Sequence, residues 1–316
     1  MKVLVPVDEL SKERGIGKLT IERIKSAGIR YVEEITLYNS EELAELLGID
    51  IVRAEKIIRI ARRIRPVVVE KAGTVDAGRK DILTTGLKGL DALLEGGLYT
   101  SEIYEFAGEY GTGKTQLCHQ LAVTVQLPPS NGGLGGSAVY IDTEGTFSRE
   151  RIVKIAGRFK VDNALDNVFV SRVLTVDSLE YLVTRKLLEI IHSNYVKLVI
   201  VDSIIALYRS QFRGIEWLAR RQQRINYLID WLKRLSYLYG IVIVYTNQIL
   251  TQPTPFGVSL KVPAGGNIIA HAATHRLLLR KTKESTIVEV LDSPRLPYKS
   301  STQFVIKDDG LYDYEV

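Results

Sequence analysis

The chain is poor in sulfur: it has one cysteine, Cys118, and one methionine among 316 residues. A single thiol excludes an intrachain disulfide and any cysteine metal cluster, and it fits a reducing compartment. The four histidines lack metal-ligand spacing and read as structural, with His271 set apart as the possible exception. Long apolar runs are missing too, and none approaches the length of a membrane span. The opening stretch, MKVLVPVDELSKERG, is too short and too charged for a secretory signal. These absences predict a soluble, cytoplasmic protein with no membrane partner. No charge of one sign dominates either. The formal charge is +5 and the pI about 9.0, which permits a polyanionic partner without proving one. What remains is ordinary for a globular protein: 46% hydrophobic and 25% charged residues, enough to bury a normal core. The length predicts a small domain beside a larger one.

Residues 1–65 read as short helices. One is predicted over Lys18–Ser26 and one over Ser40–Leu47 with Ser40 as its N-cap. A third begins near Asp50. Its apolar residues Ile51, Ala54, Ile58 and Ala61 fall on one face, and Arg53, Lys56, Arg59, Arg62 and Arg63 on the other. Glycine turns, Gly15-Ile16-Gly17 and Leu47-Gly48-Ile49-Asp50, precede two of these helices. Turns of this kind can present backbone N–H groups to a DNA phosphate, and tight helical packing accounts for them equally well. Pro66 stops the third helix, and residues 66–80 read as a linker with one short extended segment.

From residue 81 the pattern becomes α/β. Strand-like runs at Ile103–Ala107, Ala138–Ile141, Val168–Val173, Leu198–Val201 and Ile241–Tyr245 come with amphipathic stretches such as Val176–Ile191 and Gln222–Tyr239. That alternation predicts crossover connections and a largely parallel sheet. Arg276–Arg280, Thr286–Leu291 and Gln303–Ile306 have no long helices between them and should form antiparallel strands at one edge.

The segment Gly108-Glu109-Tyr110-Gly111-Thr112-Gly113-Lys114-Thr115 satisfies G-x-x-x-x-G-K-[ST]. It follows a predicted strand and opens an apolar helix beginning at Gln116, which is the context a phosphate-binding loop requires. Its glycines let the backbone wrap phosphate oxygens, Lys114 should reach the β- and γ-phosphates of ATP, and Thr115 should ligate Mg²⁺. Leu198–Asp202 is an apolar run ending in a carboxylate, and Asp202 is the expected partner of Mg²⁺, through water. Hydrolysis needs a second carboxylate to orient water. Glu144 is the choice, because Asp142 lies nearer the buried strand. The strand at 241–245 ends in Thr246-Asn247-Gln248, where an amide could sense the γ-phosphate. Ile249–Gly266, with Pro253, Pro255, Pro263, Gly257, Gly265 and Gly266, reads as a long functional loop. Arg209–Glu216 reads as irregular, and Arg209, Arg213, Arg220, Arg221 and Arg224 place five arginines in sixteen residues, enough to line a phosphate backbone.

These motifs carry a resemblance. GEYGTGKTQLCHQLAVTVQLP, YIDTEGTFSRERI, LVIVDSIIALYRS, TNQ, GGNIIAHAATHRLLLRK and LDSPRLP are similar to the archaeal RadA recombinases and their eukaryotic relatives, in the RecA class. The likeness runs almost continuously over 81–316, and residues 1–65 resemble that family's helix-hairpin-helix domain. It implies an ATPase that polymerises on single-stranded DNA, pairs it with duplex DNA and exchanges strands. By position, Glu144 matches the water-activating glutamate, Gln248 the switch glutamine and Arg151 the arginine that stacks on adenine. Asp292 and Pro294 match the cap that a neighbour lays over ATP. Arg209–Arg221 covers the first DNA-binding loop, with Arg209 and Arg221 on phosphates, and 249–267 covers the second. The turn Gly265-Gly266-Asn267 matches backbone that holds DNA.

Two positions depart from the family pattern. Ile215 replaces an arginine between two glycines; it cannot pair with phosphate but could wedge between bases, leaving Arg213 to supply charge. The polymerisation motif Phe-x-x-Ala becomes Val69-Glu70-Lys71-Ala72, with a smaller anchor. A paralogue or mediator that binds DNA, ATP and another recombinase without exchanging strands is the alternative these departures favour. A ring-shaped motor is a more distant one.

Overall fold

The computed structural model describes residues 4–69, 71–73, 80–214, 216–253, 259–265 and 272–315. It has two compact units, one formed by Met1–Arg79 with Tyr181–Ser193, the other by Lys80–Glu180 and Asn194–Val316. Among the described residues no helix is long and apolar enough to cross a membrane.

The first unit is helical. Helices run over Lys18–Ser26, Val32–Ile35, Ser40–Leu47 and Ile51–Ile64. The cap of the third is Asn39, not Ser40. The Asn39 side chain accepts from the Glu42 N–H while the Glu42 carboxylate accepts from the Asn39 N–H, a reciprocal pairing that Ser40 is one residue too late to make. Asp50 caps the fourth by accepting from the Arg53 N–H. That helix buries Ala54, Ile57, Ile58, Ile60 and Ala61, while Ile51 stays exposed. The inward stripe is therefore wider than the expected four residues, and Ile51 in the first turn lies outside it. Glu34 is buried in the same unit, satisfied by the Arg30 and Tyr31 N–H groups and by His192 Nε2 at 2.6 Å.

The second unit is built on one sheet. Two short strands, β1 (Ile82–Leu83) and β2 (Leu98–Tyr99), pair apart from it. The main strands are β3 (Ile103–Gly108), β4 (Ser137–Asp142), β5 (Val168–Arg172), β6 (Val196–Asp202), β7 (Val242–Pro253), β8 (Ser259–Pro263), β9 (His275–Lys281), β10 (Thr286–Asp292), β11 (Ser301–Lys307) and β12 (Gly310–Asp313). Their order is β12-β11-β10-β9-β3-β7-β6-β4-β5, with β8 on β7. From β5 to β9 every pairing on this path is parallel, and β10, β11 and β12 follow antiparallel. Strands β3, β4 and β6 are buried along their whole length, as apolar runs covered on both faces should be. Tyr104, Phe106, Leu117, Tyr140, Leu198 and Phe304 are part of one continuous core.

Three expectations change here. The first of the late strands, β9, extends the parallel sheet by pairing with β3, and only its successors run antiparallel; β12, four residues long, is a further strand that the sequence reading lacked. The supposed loop after Ile249 is largely a hairpin, with Ile249 opposite Pro263 and Pro253 opposite Ser259. Pro253 and Pro263 sit at the two ends of that ladder, where a missing N–H is tolerated. Arg209 lies on a helix, Ala206–Gln211, rather than in irregular chain, because Leu207 and Tyr208 are buried and draw that turn onto the core.

Candidate active site

The carboxyl ends of β3, β4 and β6 converge beside the middle of β7, where Gln248 stands opposite Gly108, and each of the four strands brings one element of chemistry. After β3 the chain turns through 109–113 into the helix Lys114–Thr124, whose residues from Leu117 onward are all buried. The turn demands glycine at its edges. A Cβ on Gly108 would lie 2.6 Å from Thr112 Oγ1 and 2.8 Å from the Leu279 carbonyl oxygen. Gly113 has φ +90°, and a Cβ there would meet Ile306 at 3.0 Å. Thr112 is buried and its hydroxyl donates to the Glu109 carbonyl, so it braces the loop from within.

Lys114 folds over this loop, donating to the carbonyls of Gly108 at 2.9 Å and Glu109 at 2.8 Å. Burial pushes its pKa down, while the charges of Asp202 and Glu144 oppose that shift. A desolvated ammonium held only by carbonyls is set to receive an anion. Asp202 is 2% exposed and accepts from Tyr140 Oη at 2.7 Å and from Thr246 Oγ1.

The two carboxylates after β4 divide their work. Asp142 is buried and accepts the N–H groups of Glu144, Gly145, Thr146 and Phe147 at 2.7 to 3.2 Å, which fixes the turn. Glu144 is presented by that turn to the cleft. Its Oε1 accepts from Ser203 Oγ at 2.9 Å and from Gln248 Nε2 at 2.8 Å. Gln248 in turn accepts from Arg209 Nη1 at 2.8 Å through its Oε1. One side-chain amide thus joins Glu144 to an arginine of the segment singled out for DNA.

A cleft of about 950 Å³ gathers Gly108, Glu109, Tyr110, Gly111, Gly113, Lys114, Thr115, Gln116, Glu144, Arg151, Asp202 and Gln248. Its wall also includes Thr246, from the strand-end run, together with Ser203, Ile306, Lys307 and Asp308, to which the sequence pattern assigns no role. Two groups at the cleft are short of partners: Gln116 Oε1, and Nε and Nη2 of Arg151, whose Nη1 is bonded to the Asp308 carbonyl. Burial lowers the Arg151 pKa, and Asp308 and Asp309 oppose this. Glycine-edged backbone, a desolvated lysine and orphaned polar atoms together fit a nucleoside triphosphate. Among the described residues there is no cluster of three metal-ligating side chains.

Other predicted residues lie outside this cleft. Arg213 is exposed, with Nε bonded to the Ser210 carbonyl at 3.0 Å, and Arg221 Nη1 reaches the Phe212 carbonyl at 3.5 Å. Gly265 has φ +99°, and its neighbour Ala264 is tied to the end of the site through the Gln248 carbonyl and Asn247 Nδ2, each at 2.8 Å. Gly266, Asn267, His271, Ile215 and Glu70 lie outside the described residues. Val69 and Ala72 are exposed. Asp292 and Pro294 are exposed, and Ser293 between them is anchored from below. His275 Nδ1 lies 2.8 Å from Ser293 Oγ, and His275 Nε2 lies 2.8 Å from Glu102 Oε2. Ser293 Oγ also accepts the N–H groups of Arg295 and Leu296. A serine donating to Nδ1, with Nε2–H donating to the carboxylate, satisfies every one of these bonds. No spacing in the sequence points to this relay, since Glu102 and His275 are 173 residues apart.

The Rad51 family model matches residues 79–314. The match spans the sheet, the phosphate-loop turn, the two strand-end carboxylates and the arginine-bearing helices. The chain belongs to the Rad51 family, within the RecA class of recombinases.

Proposed function

We propose that this chain is an ATP-dependent DNA recombinase of the archaeal RadA type, which polymerises on single-stranded DNA and catalyses pairing and strand exchange. The observation that carries the reading is the run Glu144–Gln248–Arg209, two hydrogen bonds of 2.8 Å through one amide. In this reading Glu144 orients the attacking water and takes its proton as the γ-phosphoryl group leaves the β-phosphate. Lys114 and the loop N–H groups hold the phosphates, and Arg151 lies against the adenine. Mg²⁺, when bound beside Thr115 and Asp202, neutralises phosphate charge. A DNA phosphate that captured Arg209 would take away one partner of Gln248, and Gln248 would reorient against Glu144. Turnover would then answer to DNA.

Self-association has its own support. Val67, Val68 and Val69 are 88%, 69% and 93% exposed, an apolar run ahead of Ala72, and among the described residues no strand pairs with the outer edge of β5. An extended segment of one copy can add to such an edge in another. Arg209, Arg213, Arg221 and the turn from Gly265 to Asn267 would hold the DNA, Asp292 and Pro294 would cap a neighbour's ATP, and the first unit would serve as the helix-hairpin-helix domain. The mediator reading is favoured by the smaller Val69 anchor. The experiment is ATP hydrolysis with and without single-stranded DNA in the wild type and Gln248→Ala. Stimulation that disappears in the variant supports the coupling; equal stimulation in both removes it.

A further inference from the structure

The arginine-rich segment carries an aromatic feature that phosphate binding leaves unexplained. Tyr208, Phe212 and Trp217 form a ladder, with ring centroids 6.5 Å apart for the first pair and 6.0 Å for the second. Exposure rises along it, from 0% through 9% to 40%. The inner two rings anchor the ladder to the core, and Trp217 ends it in solvent, immediately before the helix Leu218–Tyr239. The chain has two tryptophans, and the other, Trp231, is fully buried.

One cation lies over the exposed ring. The Arg220 guanidinium lies 5.6 Å from the Trp217 ring centroid and 6.0 Å from that of Phe212. Among the described residues Arg213, Arg220 and Arg221 form no ion pair, in contrast to Arg224, which is held by Asp177 and Glu180. Glu216 is the acid within the stretch, with its carboxylate beside Gly214. An aromatic face among unpaired guanidiniums has the chemistry to take an unstacked base together with its phosphates. A duplex offers the phosphates but keeps its bases stacked.

We propose that Trp217 is a base-stacking residue for single-stranded DNA, placed so that Arg213, Arg220 and Arg221 hold the backbone while the indole takes one base. The inference rests on the reading of this segment as a DNA-binding face, and it adds to that reading the side chain that takes a base.

The test uses the full chain, with tryptophan fluorescence and binding measured on a thymidine oligonucleotide and on an abasic deoxyribose-phosphate strand of equal length. Stacking predicts quenching by the thymidine strand and little by the abasic one, with buried Trp231 as a constant background. Trp217→Ala should weaken the thymidine strand about tenfold, leave the abasic strand unchanged, and be rescued largely by Trp217→Phe. Equal quenching by both strands, or equal loss of both in Trp217→Ala, would overturn the stacking role and leave Trp217 a buttress. Failure of the wild type to bind either strand would overturn the DNA reading beneath it.

Discussion

The cleft and the arginine-bearing segment sit within one unit, yet they are finished to different degrees. In the cleft, Asp202 is held by two hydroxyls, Asp142 by four backbone N–H groups and Glu144 by Ser203 and Gln248. On the arginine face, Arg213, Arg220 and Trp217 stand exposed, with carbonyls and rings as their neighbours. Chemistry that depends on placement within a few tenths of an ångström is prepaid by the fold. If the arginine face binds DNA as proposed, its exposed charges are the ones a phosphate backbone would engage. Gln248 is bonded to both regions, to Glu144 and to Arg209.

The largest expected effect lies in the finished region. Glu144→Gln should lower ATP turnover by about 10²- to 10⁴-fold while retaining nucleotide binding, read by steady-state hydrolysis beside equilibrium binding. Turnover at the wild-type rate would remove Glu144 from its role. The buried pair beneath the site comes next. Glu105 accepts from Arg276 and from Asn247 Nδ2, so Glu105→Ala strands a buried guanidinium and should cost about 3–5 kcal/mol of stability by denaturant unfolding.

The exposed face should respond more mildly and differently. Arg221→Ala should reduce the salt dependence of DNA binding by about one unit of slope in a log–log plot, with stability nearly unchanged. If it instead destabilised the protein as much as Glu105→Ala, the contrast between the regions would collapse.

A further effect concerns pH. Burial alone would raise the Glu102 carboxyl, but hydrogen bonds from His275, Lys80 and Tyr104 outweigh it and hold the pKa at about 2, against an ordinary 4.5. A depressed carboxyl contributes stability above its unfolded pKa and loses it as pH falls through the folded one. Unfolding free energy should therefore decline between about pH 4.5 and 2, less steeply in Glu102→Gln. Identical slopes would contradict this account.

The parts legible in the sequence are those written locally. The phosphate loop is eight contiguous residues and Asp202 closes an apolar run, so type and spacing mark both out as candidates, whereas Glu144 stands two residues beyond Asp142, which closes its own run. The Lys18–Ser26 helix appears with the bounds its pattern gave. The helix bearing Arg209 does not show in the sequence, because six residues have too few turns to show a period. The β7–β8 hairpin looks like a loop in the sequence, because its prolines mark ends of pairing as readily as absence of it. The bridge from Arg209 to Gln248 spans 39 residues and that from Ser203 to Glu144 spans 59, and only the sheet order brings them together. Asp142 illustrates the same limit: a strand-end carboxylate beside Glu144 looks like a rival base until its oxygens are seen to be taken by backbone N–H groups.

Strand exchange tests the central claim most directly. A single-stranded oligonucleotide and a labelled homologous duplex would be incubated with the wild type or Lys114→Ala, in ATP and Mg²⁺. The account predicts labelled strand displaced by the wild type and none by the variant. DNA-stimulated ATP hydrolysis without displacement in the wild type would contradict it and favour a mediator, with Val69→Phe and Ile215→Arg as the first reversions to make.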